Sequence, residues 1–401
     1  MNRSHLSVGQ HPSGAFLTFS ETAEAIGKTT KRLEKAALLA RYFEFLGDED
    51  LALAARYFSG YIFPLRDQRT TNVGGATLFR ALEHVTGENS QKLAQRLVHY
   101  GDLGDLTAEV FATRPASPKK HDGLTLDQVA TALEQLALIT GNKKKFDSVA
   151  ALLRDAAPLE AKYLVKILSG DLRIGLKEGA VEDAVARMFG VEVKQVQWAN
   201  MLTGDIGATA LLARYGTLSA ARMQLFHPIK FMLATPAEDL SDVAEQMPRE
   251  FNVEDKFDGI RAQAHVAPAK PGDELSHGVL HEGGNRRTRV ALFSRTLDEI
   301  TRTFPDLVTP LAKLVESNAQ SSAGLILDGE IVPVSGARIL PFLYLQKRLG
   351  RKTLSDELRA AVPVAFVAYD VLYRGERVLI DEPFKTRRAI LESLPFESAE
   401  V

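Results

Sequence analysis

The stretch LILDGEIVPV, residues 325–334, has the apolar composition of a buried β-strand but carries two carboxylates, Asp328 and Glu330, near its centre. A short apolar run with many β-branched residues is typical of a strand. A carboxylate in a buried strand is costly unless it is paired or bound to another group. The stretch therefore predicts a strand of a sheet with a polar site beside it.

Further β-rich runs surround this strand in the second half of the chain, at residues 263–266, 290–293 and 362–372. Loops rich in Gly, Pro and Asn separate them, and the longest covers residues 268–287. The helices predicted between these runs cover residues 297–302, 307–317 and 385–394. This mixture predicts an α+β domain with mainly antiparallel strands.

The first half of the chain reads as helices almost throughout. Apolar residues recur there at helical spacing, as Leu51, Ala54 and Phe58 do, and glycines follow such runs as stop signals. The pattern changes after this half, where the β-rich runs begin. We therefore predict a multidomain protein with an all-α domain over residues 1–222 and an α+β domain over residues 223–401.

Composition limits the classes of protein to which the chain can belong. It has 401 residues, enough for two or three domains, and its 45% hydrophobic and 25% charged residues are typical of a globular protein. The net charge of −2 argues against a protein that coats polyanions along its whole surface. The absence of cysteine excludes disulfides, cysteine zinc sites and thiol catalysis, and it fits a cytoplasmic protein. The sequence has no apolar run near the roughly 18 residues that span a bilayer, so no membrane partner is expected.

The stretch EDKFDGIRAQ, residues 254–263, places a lysine, Lys256, just before an Asp258-Gly259 turn signal. Apolar and polar residues alternate on both sides of the turn, which predicts a strand, a tight turn and a second strand. Taken alone, such a charged cluster is more often a set of surface salt bridges than a reactive site. The choice depends on what the rest of the chain places near the lysine.

Three other stretches carry an isolated charge in or next to a predicted strand. Arg295 follows an apolar strand in LFSRTLDEI, Glu330 lies in DGE, and Tyr369-Asp370 lie in the middle of FVAYDVLYRGE. One such charge is commonly part of a structural ion pair. Several strands that each carry one, together with Lys256, predict a shared polar cleft.

The order of these motifs, KFDGIR, SRT, DGE and AYDVL, resembles that of the ATP-dependent DNA ligases, which are covalent nucleotidyltransferases. LVKILSGDLRIGLKEG, residues 164–179, resembles the helical DNA-binding domain of archaeal and eukaryotic-type members. HPIKFMLATPAEDL, residues 227–240, is similar to the linker that precedes their adenylation domain. The resemblance covers nearly the whole chain, and the helical half favours a DNA ligase over an RNA ligase or an mRNA-capping enzyme.

The resemblance implies a reaction and its participants. Lys256 would take AMP from ATP with Mg²⁺ present, the AMP would pass to the 5′-phosphate at a nick in duplex DNA, and the 3′-hydroxyl would displace it. A lysine reacts only as the neutral amine, which burial and nearby cations favour. Arg261 would be such a cation. The expected partners are nicked double-stranded DNA and ATP, the protein is expected to be a monomer, and a sliding-clamp partner stays open.

Individual roles also follow only from the resemblance. On the adenine, Glu254 would contact the amino group and Tyr369 would stack on the ring, with Phe366 as the alternative aromatic. On the ribose and phosphates, Glu330 would contact the ribose hydroxyls, Arg261 the phosphate or ribose, and Arg295 the ribose or the nick phosphate. No residue is assigned as a metal ligand. DNA contacts would come from Arg173 and Lys177. Lys143–Lys145 and the loop residues Arg66, Arg69 and Asn72 are weaker candidates, for which a solvated charge is at least as good an interpretation.

The chain departs from the family pattern after residue 369. Family members carry two further motifs there, one acidic and one with paired lysines, and then a C-terminal OB-fold domain. We therefore expect an adenylation domain that is incomplete at its C-terminus, in a fragment of a longer protein rather than in a defective relative. A DNA-binding fragment that cannot complete adenylation is the alternative, next to an RNA ligase or capping-type enzyme.

Overall fold

The computed structural model describes residues 14–113, 123–232, 234–273, 277–283, 286–350 and 354–396. The chain divides into two units, Met1–Arg222 and Met223–Val401, called here the helical unit and the sheet unit. The division falls where the sequence pattern changes. None of the described helices is long and apolar enough to cross a membrane.

The helical unit is built from short amphipathic helices with clear start and stop signals. Thr125 forms a capping box with Gln128 at the start of one helix, and Pro158 opens another. Aromatic rings such as those of Phe19 and Phe58, 4.5 Å apart, form part of its core. The helices are α1 (Phe16–Gly27), α2 (Arg32–Glu44), α3 (Asp48–Phe58), α4 (Gly75–Thr86), α5 (Ser90–Tyr100), α6 (Leu103–Ala112), α7 (Leu126–Leu138), α8 (Asn142–Arg154), α9 (Pro158–Leu168), α10 (Glu178–Phe189), α11 (Val193–Thr203) and α12 (Ile206–Arg214). The predicted all-α region is confirmed.

The sheet unit contains one antiparallel sheet with helices around it, as the sequence predicts. Its strands are β1 (Ile260–Pro268), β2 (Val279–Gly283), β3 (Arg286–Ser294), β4 (Leu325–Ser335), β5 (Arg338–Ile339), β6 (Val364–Arg374) and β7 (Arg377–Val378). Their order among the described residues is β2-β3-β1-β4-β6-β7, and β5 pairs with β4. The helices are α13 (Leu240–Gln246), α14 (Val308–Glu316), α15 (Phe342–Gln346), α16 (Asp356–Ala361) and α17 (Phe384–Glu392).

The two faces of the sheet differ in chemistry because alternate residues of a strand point to opposite sides. On one face, called here the core face, Ala264 of β1 and Leu327 of β4 belong to a hydrophobic cluster with Leu311 of α14. On the other face, called here the polar face, Gln263 of β1 is paired with Asp328 of β4. The acidic pair of β4 therefore lies on the polar face, and the strand stays apolar on the core face.

Two predicted elements next to the motifs are wrong. Residues 251–258 form no strand: β1 already pairs with β3 and β4 on its two sides, so Phe251 and Val253 stay exposed. Residues 297–302 form no α-helix, because Ser294 and Asp298 close a turn in which Leu297 is left-handed and buried. The predicted loop at residues 268–287 contains β2, which forms a hairpin with β3.

A segment from Phe226 to Met232 crosses the polar face and is called here the crossing segment. Three alternate side chains of β1 bind its backbone: His265 Nδ1 accepts from Phe226 N at 2.9 Å, Gln263 bonds both Ile229 N and O, and Arg261 donates to Met232 O at 3.4 Å. The sequence shows this only as the polar alternation in IRAQAH. The strand thus anchors the segment that resembles the linker of the ligases.

Acid is expected to weaken the sheet unit through His265. Burial, with the charges of His227 and Arg289, lowers the pKa of His265 from 6.5 to about 3. As the pH falls from 6.5 towards 3, the unfolded chain binds a proton that the folded chain does not, so the free energy of unfolding decreases. In denaturant unfolding at pH 7, 6 and 5, His265→Asn should show a shallower decrease with acid than the wild type. His281→Asn is the control and should keep the wild-type slope; an unchanged slope in His265→Asn contradicts the prediction.

Candidate active site

The centre of the candidate site is the carboxylate of Glu330 on β4. Its Oε1 accepts from the backbone N of Gly259 at 3.1 Å, and its Oε2 accepts from the hydroxyl of Tyr369 at 2.5 Å. Glu330 is 9% exposed, so both bonds form in a largely dry setting. Three of the motifs predicted to share a cleft, KFDGIR, DGE and AYDVL, therefore meet at one side chain.

Tyr369 lies on the polar face beside a β-bulge in β6. Ala368 pairs with Gly329 and Asp370 pairs with Asp328, so Tyr369 is the extra residue between them. Because Val367 pairs with Glu330, alternation places Tyr369 on the polar face, and the bulge brings the next residue, Asp370, to the same face. Burial, followed by the bond to Glu330, raises the pKa of Tyr369 above its usual range, so the hydroxyl stays protonated and donates.

The alternative aromatic, Phe366, lies elsewhere. It pairs with Ile331 and packs against the core cluster, so its ring belongs to the core face. Of the two, Tyr369, which bonds Glu330, is the aromatic that lies on the polar face. The geometry therefore favours Tyr369 over Phe366 as the ring available to a ligand.

The glycines of both Asp-Gly motifs are required by close packing. A Cβ on Gly329 would lie 2.4 Å from the carbonyl oxygen of Val367 and 2.7 Å from the ring of Phe366. A Cβ on Gly259 would lie 2.3 Å from the carbonyl oxygen of Ile331. These contacts are closer than atoms tolerate, so each motif can approach its neighbouring strand only with glycine.

Gly329→Ala is expected to destabilise the sheet unit by about 1–3 kcal/mol, since overpacking forces backbone shifts. The check is the free energy of unfolding in urea. Gly75→Ala is the matched control, because nothing lies within 4 Å of a Cβ at that helical position, and it should leave stability within about 0.5 kcal/mol. Equal stability of Gly329→Ala and the wild type would contradict the packing argument.

A second polar pair lies beside Glu330. Arg261 Nη2 is 2.6 Å from Asp328 Oδ2, and Nε donates to Oδ1 at 3.2 Å. Burial raises the pKa of Asp328, and the bonds from Arg261 oppose this rise. Burial lowers the pKa of Arg261, but the bonds to Asp328 outweigh it and the pKa is raised. Arg261, which also lies 4.4 Å from the ring of Phe231, is thus held by protein groups at the position where a phosphate or ribose contact is predicted.

Lys256 does not lie inside a cleft in the described structure. Its side chain is exposed, and residues 251–258 lie outside the strands, so the expected burial of the amine is wrong. The physical reason is that β1 begins only at Ile260, and the preceding residues have no strand to pair with. Its place in the chain is nonetheless restricted. Phe257 packs against a small cluster on β4 and β6, and Gly259, three residues away and therefore within about 11 Å, is bonded to Glu330.

The remaining predicted nucleotide contacts, Glu254 and Arg295, are exposed. Glu254 is half-exposed and its Oε1 lies 3.5 Å from Nη1 of Arg388 on α17. Arg295 is exposed on the turn that follows β3, where Ser294 N donates to Asp298 O. Hydrogen bonds therefore join Glu330, Tyr369 and the KFDGIR motif directly, while Arg295 follows Ser294, which pairs with Ala262 next to Arg261.

In the helical unit, the two predicted DNA contacts, Arg173 and Lys177, are both exposed. Arg173 is left-handed, with φ +52°, and donates through Nη1 to the carbonyl of Gly101 at 2.8 Å. Lys177 is exposed and is the N-cap residue of α10. The buried ammonium of Lys35 donates to the carbonyls of Ile174 and Gly175 between them. Both residues therefore flank a stretch of backbone that Lys35 holds in place.

The weaker DNA candidates are mostly occupied by protein partners. Lys145 is buried and donates to the carbonyl of Thr71, so it is a structural residue, while Lys143 and Lys144 are exposed. Arg69 forms a two-pronged pair with Asp67, and Arg66 lies 3.7 Å from Asp205. These pairs make the loop arginines poorer candidates for DNA than their charge suggests.

Sequence reasoning missed the ion pairs that hold the site. Asp370 is bound by Arg387 of α17 through two bonds of 2.8 Å. The Arg261–Asp328 pair was also not anticipated. No local pattern indicates either pair, since the partners are 17 and 67 residues apart.

Two family models match the chain. "DNA ligase N terminus" matches residues 15–186, and "ATP dependent DNA ligase domain" matches residues 280–400. Lys256 lies before the second match. These matches place the chain in the class of DNA ligases, which is also the class indicated by a helical unit followed by an antiparallel sheet unit with the ordered motifs.

Curated relatives agree with the family models. A probable DNA ligase of Koribacter versatilis is 40% identical over 95% of this chain and 61% of its own length. A probable DNA ligase of Opitutus terrae is 35% identical over 96% of this chain and 42% of its own length. A DNA ligase of Archaeoglobus fulgidus is 31% identical over 96% of this chain and 66% of its own length. The chain thus spans between 42% and 66% of the length of these relatives. Because the model of the second half specifies ATP dependence, the chain belongs to the ATP-dependent DNA ligase family.

Proposed function

We propose that this chain carries the DNA-binding and adenylation functions of an ATP-dependent DNA ligase that seals nicks in duplex DNA. The observation that carries the proposal is the convergence of three ordered motifs on Glu330, with Lys256 three residues from one of its hydrogen-bond donors, Gly259. The family models favour this function over RNA end joining or capping.

Lys256 is the proposed nucleophile. Its neutral amine forms a P–N bond to the α-phosphorus of ATP while the bond to pyrophosphate breaks, and the amine loses its proton to solvent. An oxygen of the 5′-phosphate at the nick then attacks the same phosphorus, and Lys256 leaves and regains a proton. The 3′-hydroxyl finally loses its proton to solvent and forms an O–P bond to the 5′-phosphorus, while the bond to AMP breaks and AMP leaves. Each step is a phosphoryl-type transfer, for which positioning and charge neutralisation matter most.

The other residues bind rather than react. Tyr369 is proposed to stack on adenine, Glu330 to accept from ribose hydroxyls, and Glu254 to accept from the adenine amino group. Arg261 and Arg295 supply positive charge near ribose and phosphate. The hydrogen bonds of Arg261 and Glu330 to protein partners in the described structure would be exchanged for bonds to the nucleotide.

Mg²⁺ is proposed to enter with the triphosphate, whose charge it neutralises. Among the described residues, no three His, Asp or Glu side chains are grouped to hold a metal ion, so no residue is assigned to it. Arg173 and Lys177 are proposed to bind DNA phosphates without reading sequence. The proposed setting is a cytoplasmic monomer.

Incubation with α-labelled ATP and Mg²⁺, followed by a denaturing gel, tests the first step. Label that survives denaturation supports a lysyl–AMP enzyme. Labelled protein is then given a duplex with a DNA nick and one with an RNA nick. Sealing of the DNA nick supports the proposal, and sealing of only the RNA nick overturns it. DNA binding without label favours the alternative of a non-adenylating fragment.

A further inference from the structure

Helix α17 carries two neighbouring arginines that each bind an acidic residue near the candidate site. Arg387 binds Asp370, the residue after Tyr369 on β6, and Arg388 lies 3.5 Å from Glu254, two residues before Lys256. Neither arginine belongs to one of the four ordered motifs. The helix therefore touches the site region at two points.

Arg387 is held more firmly than its neighbour. Its Nε and Nη2 donate to the two oxygens of Asp370, both at 2.8 Å, and its Nη1 donates to the carbonyl of Glu382. The side chains of Arg387 and Asp370 are only 16% and 18% exposed. A forked, partly buried pair of this kind fixes geometry as well as charge. The Arg388–Glu254 pair is longer and 43% exposed on both sides, so it holds Glu254 only loosely.

Asp370 is one of the two residues that define the bulge. The ladder of β6 passes from Ala368, opposite Gly329, to Asp370, opposite Asp328, and Tyr369 is the extra residue between them. Because the bulge sets where the backbone of Tyr369 lies relative to β4, the position of the Tyr369 ring beside Glu330 depends on where Asp370 is held. The guanidinium of Arg387 holds the carboxylate of Asp370. A continuous chain of contacts thus runs from α17 to Glu330.

We propose that Arg387 is a positioning residue for nucleotide binding, which acts through Asp370 to fix the bulge and thereby the position of Tyr369 beside Glu330. The inference rests on the proposed function, in which Tyr369 and Glu330 bind the adenosine of ATP. Arg387 itself is not assigned a contact with the nucleotide. Its loss should weaken ATP binding more than it slows the chemical step.

The test is the ATP dependence of label incorporation by the whole chain. Arg387→Met is expected to raise KM for ATP about tenfold or more, since small misplacements of binding groups are costly. The rate at saturating ATP should fall by no more than about threefold. Arg387→Lys keeps one charged bond to Asp370 and should give an intermediate KM. Arg377→Met is the control. Arg377 is an exposed arginine whose ion pair is with the side chain of Glu382 rather than with Asp370, so its loss should leave KM unchanged.

A double variant separates positioning from stability. Arg387→Met with Asp370→Leu replaces a partly buried ion pair by apolar groups, which commonly preserves stability. Its Tm should return towards the wild-type value while its KM for ATP stays high. In a Tyr369→Leu background, Arg387→Met should add little to KM.

The outcomes are distinct. An unchanged KM in Arg387→Met, or a KM that recovers together with Tm in the double variant, overturns the role of Arg387 and leaves the proposed function standing. A folded wild-type chain that takes up no label overturns the proposed function, and the positioning role falls with it.

Discussion

Lys256→Ala is expected to abolish the incorporation of AMP, with label at least about 10³-fold below that of the wild type. Loss of a covalent nucleophile typically costs at least this much, and alanine offers no nitrogen to form the phosphoramidate. Because Lys256 is exposed, its removal creates no cavity, so Tm should stay within about 2 °C of the wild-type value. The measurement is label that survives denaturation, at equal concentrations of folded protein.

Two companion variants make this test specific. Lys256→Arg keeps the positive charge, but a guanidinium does not lose its proton in proteins, so this variant should also stay unlabelled. Lys270→Ala removes a different exposed lysine of the sheet unit and should label like the wild type. Label that persists in both Lys256 variants would assign the nucleophile to another residue.

The exposure of Lys256 has a consequence for the mechanism. The amine attacks only as the neutral form, which burial and nearby cations favour. Lys256 is exposed in the described structure. The proposed reaction therefore requires ATP and its accompanying cation to change the surroundings of the amine.

The sequence predicted those parts of the fold that local patterns specify. LILDGEIVPV is a central strand because its apolar side chains fill the core face, and the helices of the first half follow their apolar spacing and caps. The turn at residues 294–298 was missed because side-chain bonds of Ser294 and Asp298 hold it, and these override the apolar pattern. The strand predicted before Gly259 does not form, and the prediction was wrong because alternation over a few residues does not show whether a partner strand is available.

The candidate site was predictable to the extent that it consists of motifs. The isolated polar and charged residues of KFDGIR, DGE and AYDVL indicated a common cleft, and the structure brings these motifs to Glu330. The bulge at Tyr369 depends on how β6 pairs with β4, which spacing alone does not show. The Asp370–Arg387 pair joins a strand to a later helix, and a single sequence gives no signal for such a contact.

Asp306→Asn is expected to destabilise the sheet unit by about 3–5 kcal/mol, because it leaves a buried arginine charge uncompensated. Arg348 is 0% exposed, and its Nη2 lies 2.5 Å from Asp306 Oδ2. The described residues give the guanidinium no aligned hydrogen bond, so the carboxylate charge is its main compensation. The measurement is the free energy of unfolding in urea, taken from the transition of the sheet unit.

The effect should be asymmetric between the two partners. Arg348→Met removes the buried charge itself, and Asp306 keeps a half-exposed partner, Arg359, at 3.7 Å. Arg348→Met should therefore cost less than Asp306→Asn, and the double variant should recover part of the loss. Asp356→Asn is the matched control: Asp356 is 86% exposed and pairs with the same Arg359, so its loss should cost under about 0.5 kcal/mol. If Arg348→Met costs more than Asp306→Asn, packing of the long side chain rather than its charge dominates at this position.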